Sequence, residues 1–182
     1  MLAAEKGLLA NNLANPGKLG TFSTLAIFMN KHFLNKRLAH QIGFAGLVPF
    51  CLLALACWCV NIEALDFFVT GQMVYSVITF SFLGGIHWGA TMVSADLTAR
   101  QTKRALLWSM TPTLFAFFST MAHNYHMLLI AIGFIAAYHV DKRLYQWYKL
   151  PEWFIRLRLI LTSVVVATLL LTLVGANLRA VN

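Results

Sequence analysis

The sequence predicts an all-α polytopic integral membrane protein: a five-transmembrane-helix bundle with its N-terminus cytoplasmic and its C-terminus external. Three observations carry that expectation. Of 182 residues, 59% are hydrophobic and only 11% are charged, with a mean hydropathy of +0.70, whereas a soluble domain has roughly 25% charged residues. The apolar runs far exceed the ~10 residues of a barrel strand and lack period-two alternation. Of the two architectures that satisfy their backbone hydrogen bonds inside hydrocarbon, only helices fit. Finally, if successive spans alternate sides, thirteen of the fourteen Lys and Arg fall on one face, which the positive-inside rule assigns to the cytoplasm.

Residues 1–40 are moderately apolar, asparagine-rich and basic, with no run long enough to span. They are expected to form a basic extension ahead of a single membrane domain at 41–178. Met29 is the candidate native start, because "MNKHFLNKRLAHQIGFAGLVPF" already supplies a basic flank and a first span. A targeting presequence fits less well, since such peptides favour arginine and this stretch carries only Arg37.

The first span runs from Ile42 to Val60, longer than the h-region of a signal peptide. Its Cys57 and Cys59 are about 200° apart on a helix and cannot converge on one metal, so with Cys51 they are expected to pack as small hydrophobes. The second span is Phe67–Val93. The third, Ala105–Met121, contains Pro112, expected to kink it. The fourth, Met127–Val140, is short and reaches spanning length only with Tyr125, His126, Tyr138 and Asp141 at the interfaces. The fifth is Phe154–Ala176. The connections "NIEALD", "SADLTARQTKR", "AHNYH" and "DKRLYQWYKLPEW" are brief, which makes neighbouring helices antiparallel. Lys6, Lys18, Lys31, Lys36 and Arg37, then Arg100, Lys103 and Arg104, and Lys142, Arg143, Lys149, Arg156 and Arg158 then share one side, and Arg179 takes the other. Topology thus explains the net charge of +8 without nucleic acid, for which no binding motif is present.

The stretch "SFLGGIHWGA" (Ser81 to Ala90) breaks an apolar run with glycines and a histidine. At about 100° per residue, Ser81, Gly85 and Gly89 fall near 0°, 40° and 80°, and Trp88, Gly84, Thr91 and His87 near 340°, 300°, 280° and 240°. This broad arc is expected to face the bundle, with Phe82, Leu83, Ile86 and Ala90 toward lipid. Ser81, Gly84, Gly85 and Gly89 would let another helix approach closely, with Trp88 packed into the space they leave. His87 lies at the edge of the arc, near the cytoplasmic end. At that end the fourth span carries a second stripe, Gly133, Ala137 and Asp141, flanked by Tyr138, and the fifth begins with Arg156 and Arg158. A cluster of His87, Trp88, Tyr138, Asp141, Arg156 and Arg158 is expected there, as a structural clamp or as a ligand site. His87 is expected to bond a hydroxyl, a backbone carbonyl or Asp141. The Asp–Arg pair is placed at the interface, where losing it costs about 1 kcal/mol.

Catalytic and metal residues are not indicated: there is no serine elbow and no metal-type His-Glu spacing. A haem would need axial ligands, and His139 lies on the opposite face of its helix from Asp141. Ion transport lacks a midplane charge and paired broken helices.

"GFAGLVPF", "SFLGGIHWG", "LLWSMTPTL" and "LPEWFIRLRLILTSVVV" together resemble the domain-of-unknown-function 3429 family over about Ile42 to Leu173. Gly85, His87, Trp88, Gly89 and Pro112 match its motifs, and the N-terminal extension departs from its pattern. The resemblance implies a small polytopic protein of bacterial inner membranes with relatives in mitochondria, and implies no enzyme, substrate or cofactor.

Two functional classes follow: a non-catalytic accessory or structural subunit packing in the bilayer with a larger membrane protein complex, or a binder of a quinone, lipid headgroup or haem around His87. The expected location is the bacterial inner membrane, or the mitochondrial inner membrane for a eukaryotic source. Reporter fusions after Asp96 and Lys149 should score as cytoplasmic, and fusions after Ala64 or at the C-terminus as external. An external reporter after Lys149 would overturn the five-span arrangement.

Overall fold

The computed structural model describes residues 36–94, 96–122 and 125–181. The Met29 start and most of the 1–40 extension lie outside the described residues. The chain divides into Met1–Ile42, whose described residues 36–42 are helical, and a helical unit, Gly43–Asn182.

The larger unit contains α1 (Val48–Cys59), α2 (Ile62–Val93), α3 (Ala99–Thr120), α4 (His126–Trp147) and α5 (Glu152–Val181). Three helical stretches are long and apolar enough to cross a membrane: Lys36–Cys59, Ile62–Val93 and Glu152–Arg179. The remaining helices, α3 and α4, are 22 residues each and carry Arg100, Lys103 and Arg104, and Asp141, Lys142 and Arg143.

Local chemistry sets the ends. Pro49 stands in the first turn of α1, where its missing N–H is not needed, and α3 opens on a capping box between Thr98 and Gln101. α4 closes with Leu150 N–H donating to Tyr145 O and Lys149 N–H to Gln146 O. This is a Schellman pattern, but Lys149 occupies the left-handed position usually given to glycine, at φ 52°. Pro151 then prevents the helix from continuing. α3 runs on through Pro112, whose buried ring lies near Gly84.

Each helix packs on its neighbours in sequence, and α5 returns to α1, closing a ring; α2 also touches α4 and α5. Long-range bonds fix which ends meet. Lys149 Nζ lies 2.8 Å from Asp96 Oδ2, joining the α2–α3 and α4–α5 connections at one end. Arg179 Nη1 donates to Cys57 O at 2.9 Å, joining the last turns of α1 and α5 at the other, and Trp58 Nε1 donates to Leu171 O, further back along α5.

The core is apolar in its middle. Phe80 meets Phe134 and Phe115 edge-on at 4.9 and 5.8 Å between ring centres, surrounded by Phe50, Ile130, Val165 and Leu169. Every helix also exposes large apolar side chains, such as Leu55, Phe67, Phe82, Phe118, Ile132 and Leu171, while Gln72, Ser76, His87, Asp141 and Arg158 are buried. Apolar outside and polar groups inside is the partition expected where lipid replaces water.

The buried face of α2 differs from the expected arc. It comprises Leu65, Gln72, Ser76, Phe80, Leu83, Gly84, His87 and Thr91, centred close to His87. Leu83, expected toward lipid, is buried; Trp88 is 47% exposed and not wedged between helices. Among the described residues a Cβ on Gly85 or Gly89 would meet nothing within 4 Å, and Ser81 is only half-buried. Of the four small residues, Gly84 makes the close approach: a Cβ there would collide with the Ser109 carbonyl of α3. Lipid-facing and core-facing positions are equally apolar, so the small-residue stripe fixed the rotation of α2 wrongly. Gly133 and Ala137 do face inward, and a Cβ on Gly133 would come within 2.8 Å of Phe115 and 3.1 Å of Phe80.

Gly84→Ala should therefore destabilise the detergent-solubilised protein by roughly 1–3 kcal/mol, as overpacking does, seen as a lowered melting temperature. Gly85→Ala and Gly89→Ala should be neutral or slightly stabilising, by up to about 1 kcal/mol. Equal losses at all three would contradict the rotation of α2.

Candidate functional site

Asp141 sits one turn and a half before the end of α4, on the face continued by Gly133, Ala137, Leu144 and Tyr145. It is 1% exposed. Its Oδ1 accepts from His87 Nε2 of α2 at 2.8 Å and from Trp108 Nε1 of α3 at 3.1 Å. Its Oδ2 accepts from Nε and Nη2 of Arg158 of α5, each at 3.3 Å. One carboxylate thus gathers four N–H donors from three other helices.

A surrounding layer orients these donors. Arg158 Nη1 donates to Thr162, one turn on along α5. The His87 ring stacks on Tyr145 at 5.2 Å and 14°, and Tyr148 lies tilted at 5.9 Å. Thr91 donates to the His87 carbonyl at 2.7 Å, and its hydroxyl lies 2.8 Å from Tyr148 OH. Donation from Nε2–H to the carboxylate leaves Nδ1 of the ring as the free position. That buried atom has no hydrogen-bond partner among the described residues.

His87, Asp141 and Arg158 come together; Tyr138, Arg156 and Trp88 do not join them. Arg156 is exposed and 3.9 Å from Glu152, because two residues from Arg158 is the opposite side of α5. Tyr138 packs edge-on against its neighbour His139. Trp88 lies on the outer face of α2, one residue away from the inward His87. The expected interfacial setting of the Asp–Arg pair also needs correction: both side chains are buried, so breaking the pair leaves an uncompensated charge in low dielectric.

Thr91, Trp108, Tyr145, Tyr148 and Thr162 were not among the expected members. Four of these have a helical signal, lying four residues from His87, four and seven from Asp141, and four from Arg158. Trp108 carries none, since an indole at that depth equally suits an interfacial belt.

A second polar level occupies the other end. Fifteen residues separate Gln72 from His87 on α2 and His126 from Asp141 on α4, about 22 Å along each helix. There Ser119 Oγ lies 3.3 Å from His126 Nδ1, and Gln72 is fully buried with neither amide atom hydrogen-bonded among the described residues. The phenylalanine core lies between the two levels.

Outside the bundle, the Lys149 hydrogen bond and positive charge hold the Asp96 carboxyl below its ordinary value, and the same contact raises the Lys149 ammonium. The Asp96 contribution is therefore present above the unfolded carboxyl value and lost as pH falls through the lowered one. That of Lys149 is lost only as pH rises through its raised value.

The family model described as "Protein of unknown function (DUF3429)" matches residues 35–174, which contains the whole cluster. The chain belongs to the DUF3429 family. It is a transmembrane protein, similar to Transmembrane protein 69 of Xenopus tropicalis, 31% identical over 145 residues covering 76% of this chain and 54% of that one. The Transmembrane protein 69 of Mus musculus is 29% identical over 143 residues, 77% and 57% of the two chains. This chain therefore spans little more than half the length of those relatives. No solved structure matches.

Asp141→Ala should cost about 3–5 kcal/mol, the range for breaking a buried pair, and lower the melting temperature in detergent on the order of 10 °C. Replacing both Asp141 and Arg158 with Leu and Met should recover much of that loss; no recovery would show that the two do not act as a pair. His87→Gln should melt near the parent, whereas His87→Leu should lose roughly 1–3 kcal/mol by removing a donor from the buried carboxylate.

Proposed function

We propose that this protein is a non-catalytic, five-span accessory subunit that packs against other membrane proteins, with its N-terminus, Asp96 and Lys149 on the cytoplasmic or matrix side of an inner membrane. The observation that carries this reading is the outward small-residue face of α2. A Cβ on Gly85 or Gly89 would meet nothing within 4 Å among the described residues, and the two glycines lie among exposed Ile78, Phe82 and Trp88. A smooth face flanked by large apolar side chains is what a second transmembrane helix needs in order to approach closely. The buried clamp supports the same role. Donors from α2, α3 and α5 all converge on one residue of α4, which holds the outward faces in a fixed relation to one another.

Gentle solubilisation of native membranes followed by native electrophoresis tests this. The parent should migrate well above the mass of one chain in a micelle, and Gly85→Ile with Gly89→Ile should collapse it to that mass without lowering its melting temperature. Parent migration as a single chain would sink the accessory role.

A second function rests on His87 Nδ1, which has no partner among the described residues and would accept a hydrogen bond from the hydroxyl of a quinone's reduced form or of a lipid headgroup, or ligate a haem iron, at the clamp. A small molecule copurifying with the parent and lost in His87→Gln would favour it, and a Soret band lost in the same variant would identify haem. Retention of the molecule in His87→Gln would exclude it.

A further inference from the structure

An open groove of about 730 Å³ lies between the last turns of α2 and the first turns of α3, lined by Trp88, Leu97, Thr102, Lys103, Leu106 and Leu107. Its lining is graded. Leu106, Leu107 and Trp88 form the deeper part, at the level of the clamp residues Trp108 and His87 that adjoin them in sequence. Lys103 stands about 6 Å nearer the helix end than Leu107, and Arg100 on the same side a further ~4.5 Å out. Arg100, Lys103 and Arg104 are all exposed. Among the described residues none of them forms an ion pair; the nearby acid Asp96 is held by Lys149. From deep to shallow the lining therefore passes from apolar and aromatic side chains to cations. A phospholipid has the matching order of acyl chain and then phosphate, and basic pockets at helix ends on the positive side of a membrane attract anionic headgroups.

We propose that this groove binds one anionic phospholipid, with an acyl chain over Trp88, Leu106 and Leu107 and the headgroup phosphate between Lys103 and Arg100. A zwitterionic lipid would offer the same chain but place its own cation against theirs. Free phosphate would satisfy the lysine and arginine but leave the apolar floor uncovered. The site depends on membrane insertion of α2 and α3 and is independent of the accessory role proposed above.

The test uses the delipidated full chain in detergent, titrated separately with phosphatidylglycerol, phosphatidylcholine and inorganic phosphate, with bound lipid read by native mass spectrometry. Phosphatidylglycerol should be retained as one molecule per chain, and neither of the other two should be. Lys103→Gln with Arg100→Gln should weaken retention on the order of twentyfold, at roughly fivefold per cation. The charge-matched pair Arg156→Gln with Lys142→Gln should change it less than twofold. Phosphatidylglycerol brominated along its acyl chain should quench tryptophan emission, and part of that quenching should vanish in Trp88→Phe. Equal retention of phosphatidylcholine would overturn the proposal, as would equal weakening by both charge-matched pairs or unchanged quenching in Trp88→Phe. Displacement of the lipid by millimolar inorganic phosphate would show a simple anion site instead.

Discussion

A carboxylate inside a membrane bundle has to be paired, and Asp141 is where that requirement is met. Moving an ion of this size into low dielectric carries a penalty of several kcal/mol, even after the surroundings relax. Four N–H donors, two of them from one compensating guanidinium, offset it here. Because the donors come from α2, α3 and α5, the electrostatic requirement of a single side chain fixes the relative height and rotation of four helices at once.

The packing follows from that fixed point. With His87 turned inward, Gly84 faces α3 at a distance only glycine tolerates, and Phe80, two turns away, meets Phe134 and Phe115 in the middle of the bundle. The same rotation turns Gly85, Trp88 and Gly89 outward. Hydrophobic burial does little to choose between such rotations in lipid, where both faces are apolar, so close packing and polar pairing decide. The phenylalanine layer then lies between the Asp141 cluster and the Gln72 and His126 level.

Family membership and the clamp bear on different questions. The match over residues 35–174 and the likeness to Transmembrane protein 69 identify the kind of protein, while the geometry shows which parts of it are occupied with holding the fold. Most atoms of the cluster serve one another, whereas His87 Nδ1 has no partner among the described residues. The outward glycine face and the cationic groove near α3 are surfaces left uncovered by the described residues.

Composition, run length and the segregation of Lys and Arg determined a great deal by themselves: helices rather than strands, five of them, and a basic end. These are sums over many residues, and summed hydropathy is robust to the fate of any one side chain. The inward stripe Gly133, Ala137 and Asp141 was legible because spacing of four keeps residues on one helix face. So was the meeting of His87, Asp141 and Arg158 at one depth, because antiparallel helices and a rise of about 1.5 Å per residue set depth directly. Rotation about each helix axis was decided only by tertiary structure. It placed Gly84 inside with Gly85 and Gly89 outside, excluded Tyr138 and Arg156 from the cluster, and brought in Trp108. The reason is that lipid and protein core reward the same apolar side chains, so the sequence carries little record of which face meets which until helices with specific shapes and one buried charge are packed together.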